Sequence, residues 1–131
     1  MPIGSLDHFN VRTPDLESAR RFYVDVLGLA VGDRPPFPFP GLWLYSGDGR
    51  PVLHLVGIDP AAAGGTGTGT GPIDHMAFAA DDVDAMRERL RDAGMEFTER
   101  TVPLLGLRQI FVQDPHGIRI ELNFPAAGGT V

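Results

Sequence analysis

Apolar and polar residues alternate through "SLDHFNV" (5–11), and the spacing then changes to Leu16, Ala19, Tyr23 and Val26. Strict alternation marks a half-buried strand, and the i, i+3, i+7, i+10 spacing marks one face of a helix. Short alternating runs follow at 29–34, 42–46 and 51–57, so the first half reads β-α-β-β-β. The same phrase then returns. A shift of 67 positions lays Asp7-His8 on Asp74-His75 and the helix stripe on Val83, Met86, Leu90 and Ala93. Strands are expected again at 96–100, 108–113 and 117–124, with turns at Gly47-Asp48-Gly49 and Asp114-Pro115-His116-Gly117. Thr13-Pro14 is expected to open the first helix and Asp81-Asp82 the second, while Gly28 and Gly94 stop them. The chain is therefore expected to be one domain, 1–131, with module one at 1–58, a glycine-rich linker at 59–72 and module two at 73–125. The linker's glycines lack the leading strand and following helix that a nucleotide-binding turn requires.

Composition narrows the chemistry. The chain has no cysteine, and all 11 of its basic residues are arginine, which excludes thiolate and lysine Schiff-base catalysis and any Cys-ligated metal site. A net charge of -6 provides no cationic footprint, so neither nucleic acid nor an anionic membrane is an expected partner. No apolar run reaches the roughly 20 residues of a membrane span, and the first residues lack a signal-peptide pattern, so a cytoplasmic location is expected.

The shift that pairs His8 with His75 also pairs His54 with Glu121, in "LHL" and "IEL". A histidine or glutamate between aliphatic neighbours is costly to bury without a partner. If the two halves curl their sheets around one cleft, these four side chains converge and a divalent cation supplies that partner. Three imidazoles and one carboxylate suit Fe²⁺, Zn²⁺, Ni²⁺, Mn²⁺ or Co²⁺ and do not suit Ca²⁺.

Three segments, "LDHFNVRTPDLESARRFYVDVLGL", "IDHMAFAADDVDAMRERL" and "IFVQDPHGIRIEL", together resemble the vicinal oxygen chelate superfamily. That family contains glyoxalase I, extradiol dioxygenases, methylmalonyl-CoA epimerase and the fosfomycin and bleomycin resistance proteins. The resemblance implies an α+β fold of two βαβββ modules forming an open, mixed-sheet barrel. It further implies a metal on His8, His54, His75 and Glu121, a small substrate held through adjacent oxygens, and Glu121 as a catalytic base. A homodimer that shares sites between chains is also implied. The glyoxalase I pattern has glutamate where this chain has His54, so a two-glutamate mechanism does not carry over. Ring-cleaving dioxygenases have tyrosine where this chain has Phe111, and an upstream histidine that is absent here; a catechol-cleaving site of the usual kind is not expected. The resemblance leaves two functions open, a metal-dependent lyase, isomerase or dioxygenase and a ligand-sequestering protein of the bleomycin-resistance kind; a third reading is a structural dimerisation domain whose histidines are core residues.

Secondary candidates follow from strand parity. Arg119 and Asn123 share the face of Glu121, and Asn10 that of His8, which makes each a candidate for contact with the metal shell or substrate. Asp74 is expected to point away from His75, and His116 to be a solvated turn residue. Phe37, Phe39 and Trp43 in "RPPFPFPGLWLY" are candidates for an apolar wall, and "RERLRD" (87–92) reads as a solvated helix face.

Overall fold

The computed structural model describes residues 2–62, 70–103 and 105–125. The chain divides into two compact units, Met1–Thr66 and Gly67–Val131. Much of the proposed linker, residues 63–69, lies outside the described residues.

Each unit follows the expected β-α-β-β-β order. Unit one contains β1 (Phe9–Thr13), α1 (Leu16–Arg20) running on as a π-helical turn (Arg21–Val26), β2 (Ala30–Gly32), β3 (Gly41–Tyr45) and β4 (Pro51–Gly57). Unit two contains β5 (His75–Ala79), α2 (Val83–Asp92), β6 (Thr98–Val102), β7 (Leu107–Gln113) and β8 (Arg119–Phe124). The sheets are ordered β1-β4-β3-β2 and β5-β8-β7-β6, and each pairs its first and last strands parallel and the rest antiparallel. Neither sheet closes on itself. In each unit, the strand that opens the module lies beside the strand that ends it, so residues far apart in sequence share one rung. Asn10 faces His54 in one sheet, and Ala77 faces Glu121 at the repeat-related rung of the other.

Alternation sorts each strand between a covered and an open face. Met76, Ile110, Val112, Ile120, Leu122 and Phe124 are buried in unit two, along with Leu90 of α2. The residues between them, including Arg119, Glu121, Asn123 and Phe111, stand on the other face. Unit one buries Val11, Leu44, Leu53 and Leu55 with Ala19, Phe22 and Tyr23.

The gapless repeat breaks at two places. Gly28 and Gly94 both end their helices with positive φ, 92° and 68°, yet they are one residue out of step with the shift of the flanking strands. The π turn accounts for this. Leu27 donates to the Phe22 carbonyl five residues back at 3.0 Å, a wider turn that takes up one additional residue and brings both Phe22 and Tyr23 into the core. A second slip occurs in β3, where an irregularity at Leu44/Tyr45 sets Trp43 opposite His54, while Phe111 stands opposite Glu121.

The helix starts also differ from expectation. Asp15, and not Thr13-Pro14, caps α1: its Oδ1 accepts from Ser18 N at 3.0 Å, and Thr13 Oγ1 accepts from Asp15 N at 2.9 Å. The stiff Pro14 occupies the bend between strand and helix, which delays the first turn. Asp82 caps α2 as expected by accepting from Ala85 N at 3.1 Å.

The "RERLRD" segment is more than a solvated face. Arg87 grips Glu99 of β6 through Nε at 2.9 Å and Nη2 at 2.8 Å, tying α2 to the sheet. That hydrogen bond holds the Glu99 carboxyl below its ordinary value of 4.5. Because the folded-state value is depressed, the pair's stabilisation is complete above the unfolded-chain value and is lost as pH falls through the folded one. Glu99→Gln is therefore expected to lower the melting temperature at pH 7 and to leave it less sensitive to acid below pH 4.5 than wild type. Equal acid sensitivity in the two proteins, followed by differential scanning calorimetry, would count against this pair.

Candidate functional site

In unit two, β5 opens on His75 and β8 places Glu121 on the neighbouring strand. His75 Nε2 lies 3.5 Å from Glu121 Oε1. Two donors that each sit about 2.0–2.2 Å from one tetrahedral ion are about 3.4 Å apart, so this pair has the separation of two ligands on a single metal. The other ring nitrogen is also engaged. His75 Nδ1 donates to Asp74 Oδ2 at 2.7 Å, which leaves the Nε2 lone pair directed at Glu121. Asp74 thus does not point away as strand parity suggested: it precedes β5, where the pleat has not yet begun.

Hydrogen bonds extend from both ends of the pair. Asn123 Nδ2 donates to Glu121 Oε2 at 2.9 Å, and Gln109 Nε2 donates to Asn123 Oδ1 at 2.9 Å. Arg119 Nη1 donates to the same Asp74 oxygen that receives His75, at 3.2 Å. The hydrogen bond from His75, followed by that from Arg119, holds the Asp74 carboxyl below its ordinary range. Asn123 therefore touches Glu121 directly, whereas Arg119 connects to His75 only through Asp74. Gln109 was missed, although its rung, opposite Asn123, could have found it.

Unit one repeats part of this arrangement. His8 Nδ1 donates to Asp7 Oδ2 at 2.6 Å, again leaving Nε2 with the lone pair. His8 lies one residue before β1, and its ring stacks on His54 with centroids 3.8 Å apart and planes 14° apart. Trp43 covers the opposite face of His54 at 4.0 Å and 8°. His54 Nε2 donates to the Pro51 carbonyl at 3.2 Å, so the lone pair that His54 offers is on Nδ1. Burial, and then the nearby His8, lower the pKa of His54 and keep its ring neutral at pH 7, the form a metal requires. Asn10 faces His54 across the rung.

The aromatic array continues into the proline-rich loop. Phe37 lies 6.4 Å from Trp43 and stacks on Phe39 at 5.1 Å, and Arg34 stands 5.1 Å from the centre of each phenyl ring. Both phenylalanines are 41% exposed.

Within either unit, the residues expected to bind metal come as pairs, and no group of three or more His, Asp or Glu side chains placed to hold an ion forms among the described residues. His116 is not the solvated residue that its turn suggested. Asp114 Oδ1 accepts from the amides of His116 and Ile118, both at 2.8 Å, and the folded turn buries His116 Nε2 without a hydrogen-bond partner among the described residues.

Two βαβββ units with repeat-related Asp–His dipeptides and a histidine–glutamate pair on adjacent strands define a class, and the comparisons agree with it. A profile of the Glyoxalase/Bleomycin resistance protein/Dioxygenase superfamily matches residues 5–122, and the chain belongs to that family. Methylmalonyl-CoA epimerase of Bos taurus is 32% identical over 92% of this chain and 74% of that protein. Lactoylglutathione lyase of Haemophilus influenzae is 31% identical over 87% of each. A glyoxalase/dioxygenase from Nostoc punctiforme shares the fold, with a TM-score of 0.75, 19% identity and coverage of 92% of this chain and 90% of that one. TnmS3, an antibiotic binding protein from Streptomyces, is 28% identical, with a TM-score of 0.68 over 96% of this chain and 99% of that one. No helix among the described residues is long and apolar enough to cross a membrane.

Proposed function

We propose that the protein is a divalent-metal-dependent enzyme acting on a small substrate with two adjacent oxygens, and that His8, His54, His75 and Glu121 hold the ion. The observation that carries this reading is the 3.5 Å separation of His75 Nε2 and Glu121 Oε1, with Nδ1 of the same ring fixed by Asp74. The matching Asp7–His8 pair adds a second imidazole prepared in the same way. When bound, the metal supplies Lewis-acid polarisation of the two substrate oxygens. Glu121 acts as the base when its carboxylate is released from the ion, taking a proton from the substrate carbon next to those oxygens. Asn123 holds Oε2 and fixes the carboxylate's orientation, and Gln109 fixes Asn123 in turn. Asp7 and Asp74 keep the Nε2 lone pairs of His8 and His75 available. The named activities of the epimerase and lyase relatives are consistent with proton transfer of this kind.

In this reading the two units act as one domain, the chain works in the cytoplasm, and two chains pair so that each site takes His8 and His54 from one and His75 and Glu121 from the other. Each unit supplies one pair of the four residues, so in a shared site each chain contributes one pair. The test is a purified mixed dimer of His8→Ala and Glu121→Ala chains. If sites are shared, both lesions fall in one site, and the other is expected to bind about one ion. If the mixed dimer recovers no strongly bound metal, the sharing is rejected while the four ligands stand.

A second reading, ligand sequestration without catalysis, is favoured by the likeness to an antibiotic binding protein and by the exposed Phe37–Phe39–Trp43 array. Ligand affinity indifferent to chelator would select it.

A further inference from the structure

Arg119 has donors that the proposed chemistry leaves unused. A cavity of about 1040 Å³ opens in unit two, lined by Phe97, Thr98, Phe111, Gln113 and Arg119 among others; His75 and Glu121 are not among its lining residues, and Arg119 is the residue that joins it to their hydrogen-bond network. Arg119 is the one cation among those lining residues, and its side chain is 46% exposed. Its guanidinium carbon lies 4.4 Å from the centre of the Phe111 ring, a cation–π contact. Its hydrogen bond among the described residues is the Nη1 contact to Asp74, so most of its five N–H donors are available. Of the acidic lining residues Glu96 and Asp114, the latter already uses a carboxylate oxygen on the His116 and Ile118 amides. Arg119 and Glu121 share a strand face two residues apart, about 6.6 Å along the strand. His75 occupies the rung opposite Arg119.

We infer that Arg119 is a specificity-determining residue that binds a carboxylate on the substrate, seated over Phe111 while the substrate's adjacent oxygens lie toward His75 and Glu121. The inference rests on the metal reading proposed above and adds the class of substrate, an oxygen chelator that also carries an anionic oxygen group about two strand steps away. A planar guanidinium presents paired N–H groups that match a carboxylate, and its contact with Phe111 keeps that fork preorganised. Phe111 further offers an apolar surface to the part of the substrate between the two polar ends.

The test uses a matched pair of probes on the metal-loaded full chain: 3,4-dihydroxybenzoate and 3,4-dihydroxybenzamide, which carry the same adjacent oxygens and differ in the anion. Calorimetry is expected to show the benzoate binding wild type about tenfold or more tightly than the benzamide. Arg119→Gln should erase that ratio, and Arg119→Lys should retain part of it, with the benzamide's affinity little changed in either. A ratio that survives Arg119→Gln, or a wild-type protein that does not distinguish the probes, overturns the inference. If Arg119 serves only to clamp Asp74, Arg119→Gln weakens both probes alike and leaves the ratio intact, which also overturns it. Benzamide affinity before and after chelator reads the metal separately: indifference to chelator overturns the metal reading while the ratio still reports on Arg119.

Discussion

Alanine at His75 or at Glu121 is expected to remove most of the protein's bound divalent metal, and with it most of its activity, at little cost to the fold. His75 Nε2 and Glu121 Oε1 face each other at 3.5 Å on neighbouring strands, and each is prepared by its own hydrogen bond, from Asn123 to the carboxylate and from the imidazole to Asp74. Under the proposed metal reading, removing either would leave a bound ion short of one ligand, and metal affinity falls steeply with each donor lost. Glu121→Gln separates the two roles proposed for this residue. Its amide oxygen remains a weak donor but cannot accept the substrate proton, so turnover is expected to fall by about 10²–10⁴-fold, as for the loss of a general base. Elemental analysis and turnover measured on the same preparations check both outcomes. Unchanged metal in both alanine variants counts against the ligand assignment.

The second large effect is expected at Leu90. It is the buried residue of α2, fully covered, in the unit that also buries Ile110, Ile120 and Leu122. Leu90→Ala removes three carbons from a close-packed site and leaves a cavity, at a cost of about 2–5 kcal/mol. At roughly 4 °C per kcal/mol for a chain of this size, the melting temperature should fall by about 8–20 °C. The contrast with the site variants is informative. Below its own transition, Leu90→Ala should still bind metal, because β5 and β8 pair with each other directly. His75→Ala should melt near wild type once both are stripped of metal, since the ion stabilises only the form that binds it. Calorimetry with and without chelator separates the two classes.

The module plan was legible in the sequence because alternation and helical spacing recur after a fixed interval. The pairing of His54 with Glu121 followed from the same interval and survived two local slips: the π turn and the irregularity in β3 each add one residue to the first unit, and the stretch from Gly28 to Trp43 is two residues shorter than that from Gly94 to Phe111, which restores the interval. Those slips were not legible. A π turn leaves no apolar signature beyond one extra core residue, here Phe22, and a strand irregularity leaves none. The partners of the histidines were missed for a related reason. Parity rules assume a formed pleat, whereas Asp7 and Asp74 precede β1 and β5, and their carboxylates meet the rings of the adjacent His8 and His75. The stacking of Trp43 on His54 was also beyond reach, because it depends on the register slip between β3 and β4.

The ligand set is tested most directly by metal content and turnover of the wild-type protein, purified without chelator, before and after dialysis against EDTA. About one ion of Fe, Zn, Ni, Mn or Co per chain is expected, with activity lost on dialysis and restored when that ion is added back. Protein that is metal-free as purified, and whose activity or ligand affinity is the same with and without EDTA, would contradict it.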